Sequence, residues 1–308
     1  MSIESIYFDE RPMYRLSHHD ESFIIDMNHG MTVVQYSHHG NEIIKYIKDR
    51  YLAGKTYGIP ILFPTPNRIS DGKYTFLETS YPGIEHGLVR QEPFHLVKLE
   101  STNDSTSISG SWELTPDHNL FAYYPWHCKL SVQVKLSRDS LQWLYSVENR
   151  EKEKPLGFGF GLHPFFTLCS DTAIQVVAPS YMHASDSGYP NGERISVENS
   201  IYDLRKPVRV IDHILDTVYY DPDKPVEGLI QYRPDSVLTL TGSSEFKHFV
   251  VYTPKNAEFF CLENQSCSAD THNIYAKGYE KYSGLILVKA GCMHAGYITF
   301  RWHNFDTF

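Results

Sequence analysis

Apolar and polar residues alternate in short segments along the chain, and turn-forming residues separate these segments. The clearest segment, Leu130–Leu136, alternates at every position, and residues 141–147 repeat the pattern after a short polar turn. The triplet Asn28-His-Gly30 between two apolar segments is typical of a hairpin turn. Helical periodicity is nearly absent. The pattern therefore predicts an all-β fold, a large antiparallel β-sandwich or barrel.

Several segments are assigned from the same pattern. Residues 105–114 predict a β-hairpin, residues 42–50 fit either a strand or a short helix, and the proline-rich residues 59–66 predict an extended crossing segment. No composition break or internal repeat marks a boundary, so we expect a single domain spanning residues 1–308. Further strands are predicted at 23–27, 31–37, 174–178, 231–233, 236–241, 247–253, 258–262, 284–290 and 295–302, and turns at 71–72, 81–83, 151–154, 190–192 and 291–294.

The stretch Gly157–Phe166 carries three glycines that alternate with apolar residues. A period of two predicts one strand with the glycines on one face, where a backbone or a flat ligand can approach closely. His163 ends the run, and Pro164 favours an extended backbone at that histidine. His163 is then either a hydrogen-bonded structural histidine or a general acid on a rigid strand.

Composition excludes some partners. The chain has 308 residues, a net charge of −9, 41% hydrophobic residues and 22 tyrosines. The negative charge argues against nucleic acid as a partner, and no apolar run is long enough to span a membrane. Tyrosine combines a ring face with a hydroxyl, so this composition suits a polar ligand that stacks on rings.

The cysteines and the N-terminus indicate a compartment. The five cysteines are odd in number and scattered, which implies no disulfide framework and fits a reducing environment. Residues 1–20 contain no apolar core typical of a signal peptide. The sequence therefore predicts a cytoplasmic protein.

Four other stretches place a polar group beside an apolar or stiff segment. Arg68 follows a proline-rich segment that ends in Asn67, and His86 precedes a glycine. Asp216 begins one apolar strand, and Glu263 ends another. Arg68 also fits a surface ion pair, His86 a loop histidine and Asp216 a turn cap. Glu263 is harder to explain structurally because a buried glutamate is rare unless it is paired.

Together these stretches resemble the aldose 1-epimerase (mutarotase) family. Two positions depart from the family pattern: Asn264 follows Glu263 where many members have proline, and Thr217 follows Asp216 where many have histidine or aspartate. These departures leave the identity of the sugar open. The resemblance is carried, in order, by Gly58–Arg68, Glu85-His-Gly87, Gly159–Phe166, Pro190–Glu193, Leu215–Tyr219, and Leu262-Glu263 with Asn273 beyond.

The resemblance implies a galactose-mutarotase-like β-sandwich with a sugar cleft on one sheet. It implies a small sugar as the ligand, no metal, no cofactor, and a monomer or homodimer. In the roles that the resemblance implies, Glu263 is the base, His163 is the acid, and Arg68, His86, Asp216 and Asn67 bind the sugar.

The residue types suit this chemistry. Mutarotation opens the hemiacetal ring and closes it on the other face of C1, so one group must accept a proton from the anomeric hydroxyl while another protonates the ring oxygen. Glutamate and histidine need only modest pKa shifts to exchange these roles near neutral pH.

Several alternatives remain at this stage. A hexose-6-phosphate 1-epimerase would need extra cations, for which Arg90, Lys98 and Lys129 are candidates, and a non-catalytic sugar-binding protein is a second alternative. Asp216 with Glu263 could form a glycosidase pair. Zinc binding by Cys261, Cys267 and His272 is disfavoured by their spacing. The pairs His18-His19 and His38-His39 are expected to be solvated loop residues.

Overall fold

A computed structural model describes residues 1–184, 189–233 and 236–304. Two large antiparallel sheets, of thirteen and nine strands, account for most of the described chain. Their apolar faces contribute to one core cluster, which contains Phe23 from the first sheet and Val134 and Trp143 from the second. The all-β sandwich predicted from the sequence is confirmed.

The strands of the described chain have the following bounds: β1 Ser2–Phe8, β2 Arg11–His18, β3 Glu21–Asp26, β4 Thr32–His38, β5 Asn41–Ile44, β6 Ile61–Leu62, β7 Lys73–Phe76, β8 Thr79–Pro82, β9 His95–Ser101, β10 Ser105–Leu114, β11 Cys128–Ser137, β12 Ser140–Asn149, β13 Leu156–Phe158, β14 Gly161–Leu162, β15 Phe165–Thr167, β16 Ala173–Val177, β17 Ser180–Ala184, β18 Pro190–Ser196, β19 Val208–Arg209, β20 Asp216–Tyr220, β21 Glu227–Arg233, β22 Ser236–Gly242, β23 His248–Tyr252, β24 Phe259–Gln265, β25 Ile286–Val288 and β26 Met293–Asn304.

Helices are short throughout the described chain. None of those found in residues 1–184, 189–233 and 236–304 has the length and apolar character needed to cross a membrane. The α-helices are α1 Lys48–Leu52, α2 Thr271–Ala276 and α3 Glu280–Ser283, and 3₁₀ turns occupy Ser70–Gly72, Val89–Gln91 and Val210–Asp212.

The strand order of the larger sheet brings distant segments together. It runs β1-β2-β3-β4-β5-β15-β24-β23-β20-β17-β18, and β14 joins β24 to β6 beside this path. The smaller sheet runs β19-β16-β21-β22-β26-β12-β11-β10-β9. Two ribbons, β13-β25 and β7-β8, complete the sheets. The centre of the larger sheet thus joins the stretches that carry His163, Asp216 and Glu263.

Strict alternation predicted strands well. In β11 every second residue, from Cys128 to Leu136, is buried, as the period of two requires. The ambiguous segment 42–50 contains both elements, since β5 ends at Ile44 and α1 begins at Lys48.

Some turn and hairpin predictions were wrong. Residues 105–114 form the single strand β10, which pairs along its whole length with β11 and over Thr106–Ser111 with β9. The register shift between Ser109 and Gly110 marks a bulge instead of a turn. Tyr81 and Pro82 finish β8, and residues 190–192 begin β18. His294 lies inside β26. The expected domain 1–308 includes residues 185–188, 234–235 and 305–308, which lie outside the described residues.

The glycine-rich stretch 157–166 is divided among three strands: its glycines fall in and between β13 and β14, and Phe165 begins β15. β13 pairs with β25, whereas β14 pairs with β6 and β24 of the larger sheet. The break falls at Gly159, where a side chain would collide with Cys267 Sγ and Pro66. The close approach expected at these glycines is therefore made by the protein itself.

Candidate functional site

His163 and Glu263 meet at the centre of the larger sheet. The Nδ1 atom of His163 lies 3.5 Å from the Oε1 atom of Glu263, and their side chains are only 8% and 3% exposed. Both residues were predicted as catalytic from the sequence, and the fold brings them into one buried contact.

The pairing of β15 with β24 places His163 beside Glu263. Phe165 is the register partner of Cys261, and Cys261 and Glu263 share a face because they are two residues apart in β24. The His163 ring stacks on the Phe165 ring with centroids 4.7 Å apart, and its backbone N–H donates to the Pro60 carbonyl at 3.1 Å. Sheet register and stacking together hold the imidazole beside the carboxyl group.

The half-buried His86 completes a group of three neighbouring polar side chains with His163 and Glu263. Its ring centroid lies 5.3 Å from that of His163. Its backbone N–H donates to the Asn67 carbonyl at 2.9 Å, and its φ of 63° is unusual for histidine. Gly87 then packs so closely on Phe63 that a side chain there would collide with the Phe63 carbonyl oxygen. The loop is thus docked onto the proline-rich segment.

Arg68 and Asp216 form an ion pair outside this group. The Nη2 atom of Arg68 donates to Asp216 Oδ2 at 2.5 Å, and the two side chains are 42% and 45% exposed. Asp216 and Cys261 share a sheet face because both are register partners of Tyr252. The side chain of Asn67, whose φ is 66°, accepts a hydrogen bond from the Arg68 backbone N–H at 2.8 Å.

A cleft opens beside this ion pair. It has a volume of about 300 Å³ and is lined by Asn67, Arg68 and Asp216 on one side and by Tyr181 and His183 of β17 on another. Sequence reasoning missed Tyr181 and His183, and the only signal available was the abundance of tyrosine. The cleft offers charged groups, hydroxyl groups and a ring face, which are the elements that recognise a small polar ligand.

Burial shifts the titration of the central pair in opposite directions. Burial raises the pKa of Glu263 well above its usual value, against the hydrogen bond that Gln265 Nε2 donates to Glu263 Oε2 at 2.8 Å. Burial lowers the pKa of His163 well below its usual value, and His86, Arg90 and Arg50 add to the effect. Sequence reasoning also missed Gln265.

His86 is held neutral by similar causes. Burial, then Arg90 and Arg68, lower the pKa of His86 to about 4. Within the described chain, the Nδ1 atoms of His86 and His163 are buried and have no hydrogen-bond partner. Buried polar atoms are rarely left unpaired, so two ring nitrogens are available to a ligand.

The same centre contains one group of metal-ligating side chains. Ligand atoms of His163, Cys261 and Glu263 lie within 4.8 Å of one another. Burial, followed by Glu263, raises the pKa of Cys261 well above its usual value, which opposes formation of a thiolate ligand. The zinc set considered from the sequence also included His272, whose Nε2 atom instead forms a 2.8 Å hydrogen bond with the Gly157 carbonyl.

The candidate phosphate-binding cations lie apart. Arg90 is close enough to His86 and His163 to lower the pKa of both. Lys98 belongs to β9 and pairs with Glu100 at 2.9 Å, and Lys129 belongs to β11, both in the smaller sheet. Of the three candidates, Arg90 is the one next to the site.

Comparisons with known proteins agree with this fold. The family model described as aldose 1-epimerase matches residues 12–299. A galactose mutarotase-like protein from Clostridium acetobutylicum has a TM-score of 0.84 at 18% identity, with 98% of each chain covered.

Two further solved structures are similar. A galactose mutarotase-like protein from Lactobacillus casei has a TM-score of 0.77 at 16% identity, covering 94% of this chain and 100% of that one. Galactose 1-epimerase from Lactobacillus acidophilus has a TM-score of 0.78 at 13% identity, covering 99% of each. A search of curated proteins found no match. At these identities the solved structures establish the galactose mutarotase-like fold alone.

Proposed function

The chain belongs to the aldose 1-epimerase family, and on that premise we propose that it is a mutarotase that interconverts the α and β anomers of a free hexose or a close derivative. The contact between His163 and Glu263 carries the proposal. An acid and a base must act on two oxygens bonded to the same carbon, so they must reach the same end of one sugar.

Ring opening needs one proton to leave and another to arrive. Glu263 accepts the proton of the anomeric hydroxyl while His163 donates a proton to the ring oxygen as its bond to C1 breaks. Rotation about the bond between C1 and C2 then exposes the other face of the aldehyde. Closure reverses the two transfers, so that Glu263 and His163 regain their original protonation states.

Burial suits this exchange. The Glu263–His163 pair has two forms with the same number of protons. In one, a neutral carboxylic acid faces a neutral imidazole; in the other, a carboxylate faces an imidazolium. Burial favours the neutral pair, whereas the hydrogen bond from Gln265 and the charge of Arg68 favour the carboxylate. The hydrogen bond and the charge of Arg68 offset part of the effect of burial, and so lower the cost of forming the charged pair that exchanges protons with the sugar.

The remaining site residues position the sugar. Arg68 and Asp216 present a donor and an acceptor at the cleft, where the hydroxyl groups of a sugar can bind both. The neutral His86, with a free Nδ1 atom, can hydrogen bond to a hydroxyl near the reacting carbon. Asn67 sets the turn that aims Arg68.

We extend the proposal to the whole chain. We propose a single domain over residues 1–308, because the two sheets share one core cluster. We also propose a cytoplasmic location. The five cysteines within the described chain are free, as is usual in a reducing compartment. The exclusion of nucleic acid and the monomeric or homodimeric state stay predictions.

A phosphorylated hexose is the second candidate substrate. Arg90, Arg11 and Lys55 line a cavity of about 200 Å³, and Pro60, which binds the His163 backbone N–H, lines it too. Three cations beside the site favour an anionic group on the sugar.

Optical rotation tests the proposal. Freshly dissolved α-glucose, α-galactose and α-glucose-6-phosphate are followed with and without protein. We expect the protein to accelerate the relaxation of at least one sugar, and a preference for the phosphate would select the second candidate. If no sugar relaxes faster but calorimetry detects sugar binding, the protein is a non-catalytic binder.

A further inference from the structure

Two histidine pairs converge at one end of the larger sheet. His18 ends β2 and His19 lies in the turn before β3. In the same way, His38 ends β4 and His39 lies in the turn before β5. Glu21 is the register partner of both His18 and His38. His18 and His38 are 1% and 4% exposed, so the prediction that they are solvated was wrong for these two.

A third turn reaches the same place from the other sheet. Asp139, with φ of 56°, lies between β11 and β12, and its backbone N–H donates to Glu21 Oε1 at 2.7 Å. Ligand atoms of His38, His39 and Asp139 lie within 4.8 Å of one another. Two imidazoles and a carboxylate form a donor set that zinc and similar ions accept.

His38 supplies an independent observation. Both of its ring nitrogens are buried, and neither has a hydrogen-bond partner within the described chain. Its ring stacks on Trp302 with centroids 4.1 Å apart and planes 9° apart, so the imidazole is held in place. Glu21 faces the Nδ1 atom without a hydrogen bond, and leaving the buried Nε2 atom unpaired destabilises the fold unless a ligand binds it.

A carboxylate faces the Nδ1 atom of each histidine. Glu21 Oε2 lies 3.5 Å from His38 Nδ1, and Asp20 Oδ2 lies 3.5 Å from His39 Nδ1. With Nδ1 protonated and directed to its carboxylate, each ring keeps the Nε2 lone pair for a cation. This carboxylate–histidine arrangement is typical of metal ligands, where it fixes the tautomer and makes the ligand more basic.

His39 and Asp139 open onto a cavity whose charges favour a cation, whereas His38 lies buried behind it. A cavity of about 270 Å³ is lined by His19, Asp20, Glu21, His39, Arg138 and Asp139. Three carboxylates face a single guanidinium in this lining. The His39 side chain is 51% exposed, so it can close around an ion without disturbing the core.

We propose that His38, His39 and Asp139 bind a divalent transition-metal ion, with Zn²⁺ as the first choice, at a site independent of the His163–Glu263 pair. Three protein ligands leave the fourth tetrahedral position for water. Glu21 and Asp20 orient the two histidines.

Calorimetry with ZnCl₂ in a chelator-free buffer, on the metal-stripped full-length protein, tests the proposal. We expect one Zn²⁺ site, whose affinity His39→Ala and Asp139→Asn should each lower by at least about 10-fold. Loss of a carboxylate that only supports a metal ligand already lowers metal affinity by about that factor. Both residues lie in surface turns, and asparagine tolerates the left-handed backbone at position 139. Asp20→Asn should also weaken binding.

Two control variants make the test decisive. His95→Ala removes an exposed histidine of β9, and Glu263→Gln alters the sugar site. We expect both to bind Zn²⁺ as the native protein does. Co²⁺ should give the visible absorption of a tetrahedral site in the native protein and lose it in His39→Ala. If Zn²⁺ affinity falls in Glu263→Gln but not in His39→Ala, or is equal in all variants, the proposal is overturned.

Discussion

The Nδ1 atom of His163 lies 3.5 Å from Glu263 Oε1 without a hydrogen bond between them, although the two residues come from distant parts of the chain. The imidazole nitrogen and the carboxyl group therefore face each other while each is still able to bind a third group.

Removing either proton-transfer group should slow turnover sharply. We expect Glu263→Gln and His163→Asn each to lower kcat by about 10²–10⁴-fold, the usual contribution of a positioned acid or base. Optical rotation of the preferred sugar measures the rate, and circular dichroism checks the fold. The control Glu258→Gln changes an exposed glutamate just before the same strand and should leave kcat unchanged. Native rates in both site variants would refute the assignment.

The pH dependence of the rate should be bell-shaped. The active pair contains one transferable proton, so the rate falls at low pH when the pair gains a second proton and at high pH when it loses its only one. Because burial lowers the pKa of His163 and raises that of Glu263, we expect the acid limb well below pH 6.5, the usual pKa of histidine.

A variant tests the cause of the alkaline limb. Gln265→Leu removes a donor that lowers the pKa of Glu263, so the carboxyl group should hold its proton to higher pH and the alkaline limb should move up. The pH profile of kcat/KM measures this shift. A shift to lower pH would contradict the role given to Gln265.

The ion pair at the cleft should affect binding more than chemistry. Asp216→Asn removes a charged acceptor, and hydrogen bonds to charged groups contribute about 1.5–3 kcal/mol, so we expect KM to rise by about 10-fold or more with a smaller change in kcat. Asp212→Asn, which disrupts an exposed pair with Arg209 at 3.7 Å, is the control and should change neither constant. A fall in kcat alone would place Asp216 in the chemical step.

Gly87 should be essential for the position of His86. Gly87→Ala introduces a side chain at φ of 81° that collides with the Phe63 carbonyl, so we expect a loss of more than about 1 kcal/mol in stability together with lower activity. Gly278→Ala has a similar φ of 86° but open space, and should show only the backbone strain. Denaturant unfolding compares the two, and equal losses would exclude the collision as the cause.

Metal removal should leave turnover intact. Since burial opposes a thiolate at Cys261, we expect the rate to be unchanged after dialysis against EDTA or phenanthroline. Loss of activity that added Zn²⁺ restores would instead identify His163, Cys261 and Glu263 as a metal centre.

The sequence predicted the fold and the principal residues of the candidate site for clear physical reasons. Apolar and polar residues alternate in β11 because one face of that strand is buried and the other is not, so the sequence pattern identified the strand. The polar residues next to apolar strands, such as Glu263, stood out because burying them has an energetic cost that only a partner or a function offsets.

Other features depended on contacts between distant segments. Gln265 was missed because β24 continues past Leu262, where the apolar run ends, and only the longer strand places Gln265 on the same face as Glu263. The burial of His38 depends on Trp302, near the other end of the sequence. The break at Gly159 depends on Cys267 and Pro66. No local pattern encodes these contacts.

The segments around Arg68, His86, His163, Asp216 and Glu263 belong to the same centre but lie far apart along the chain. Long loops must close before such a centre exists, and contacts of this range form slowly. We therefore expect enzyme activity to return among the last signals during refolding, after most secondary structure has been regained. Under the proposed function, the rate of sugar interconversion would then serve as a sensitive assay of complete folding in this protein.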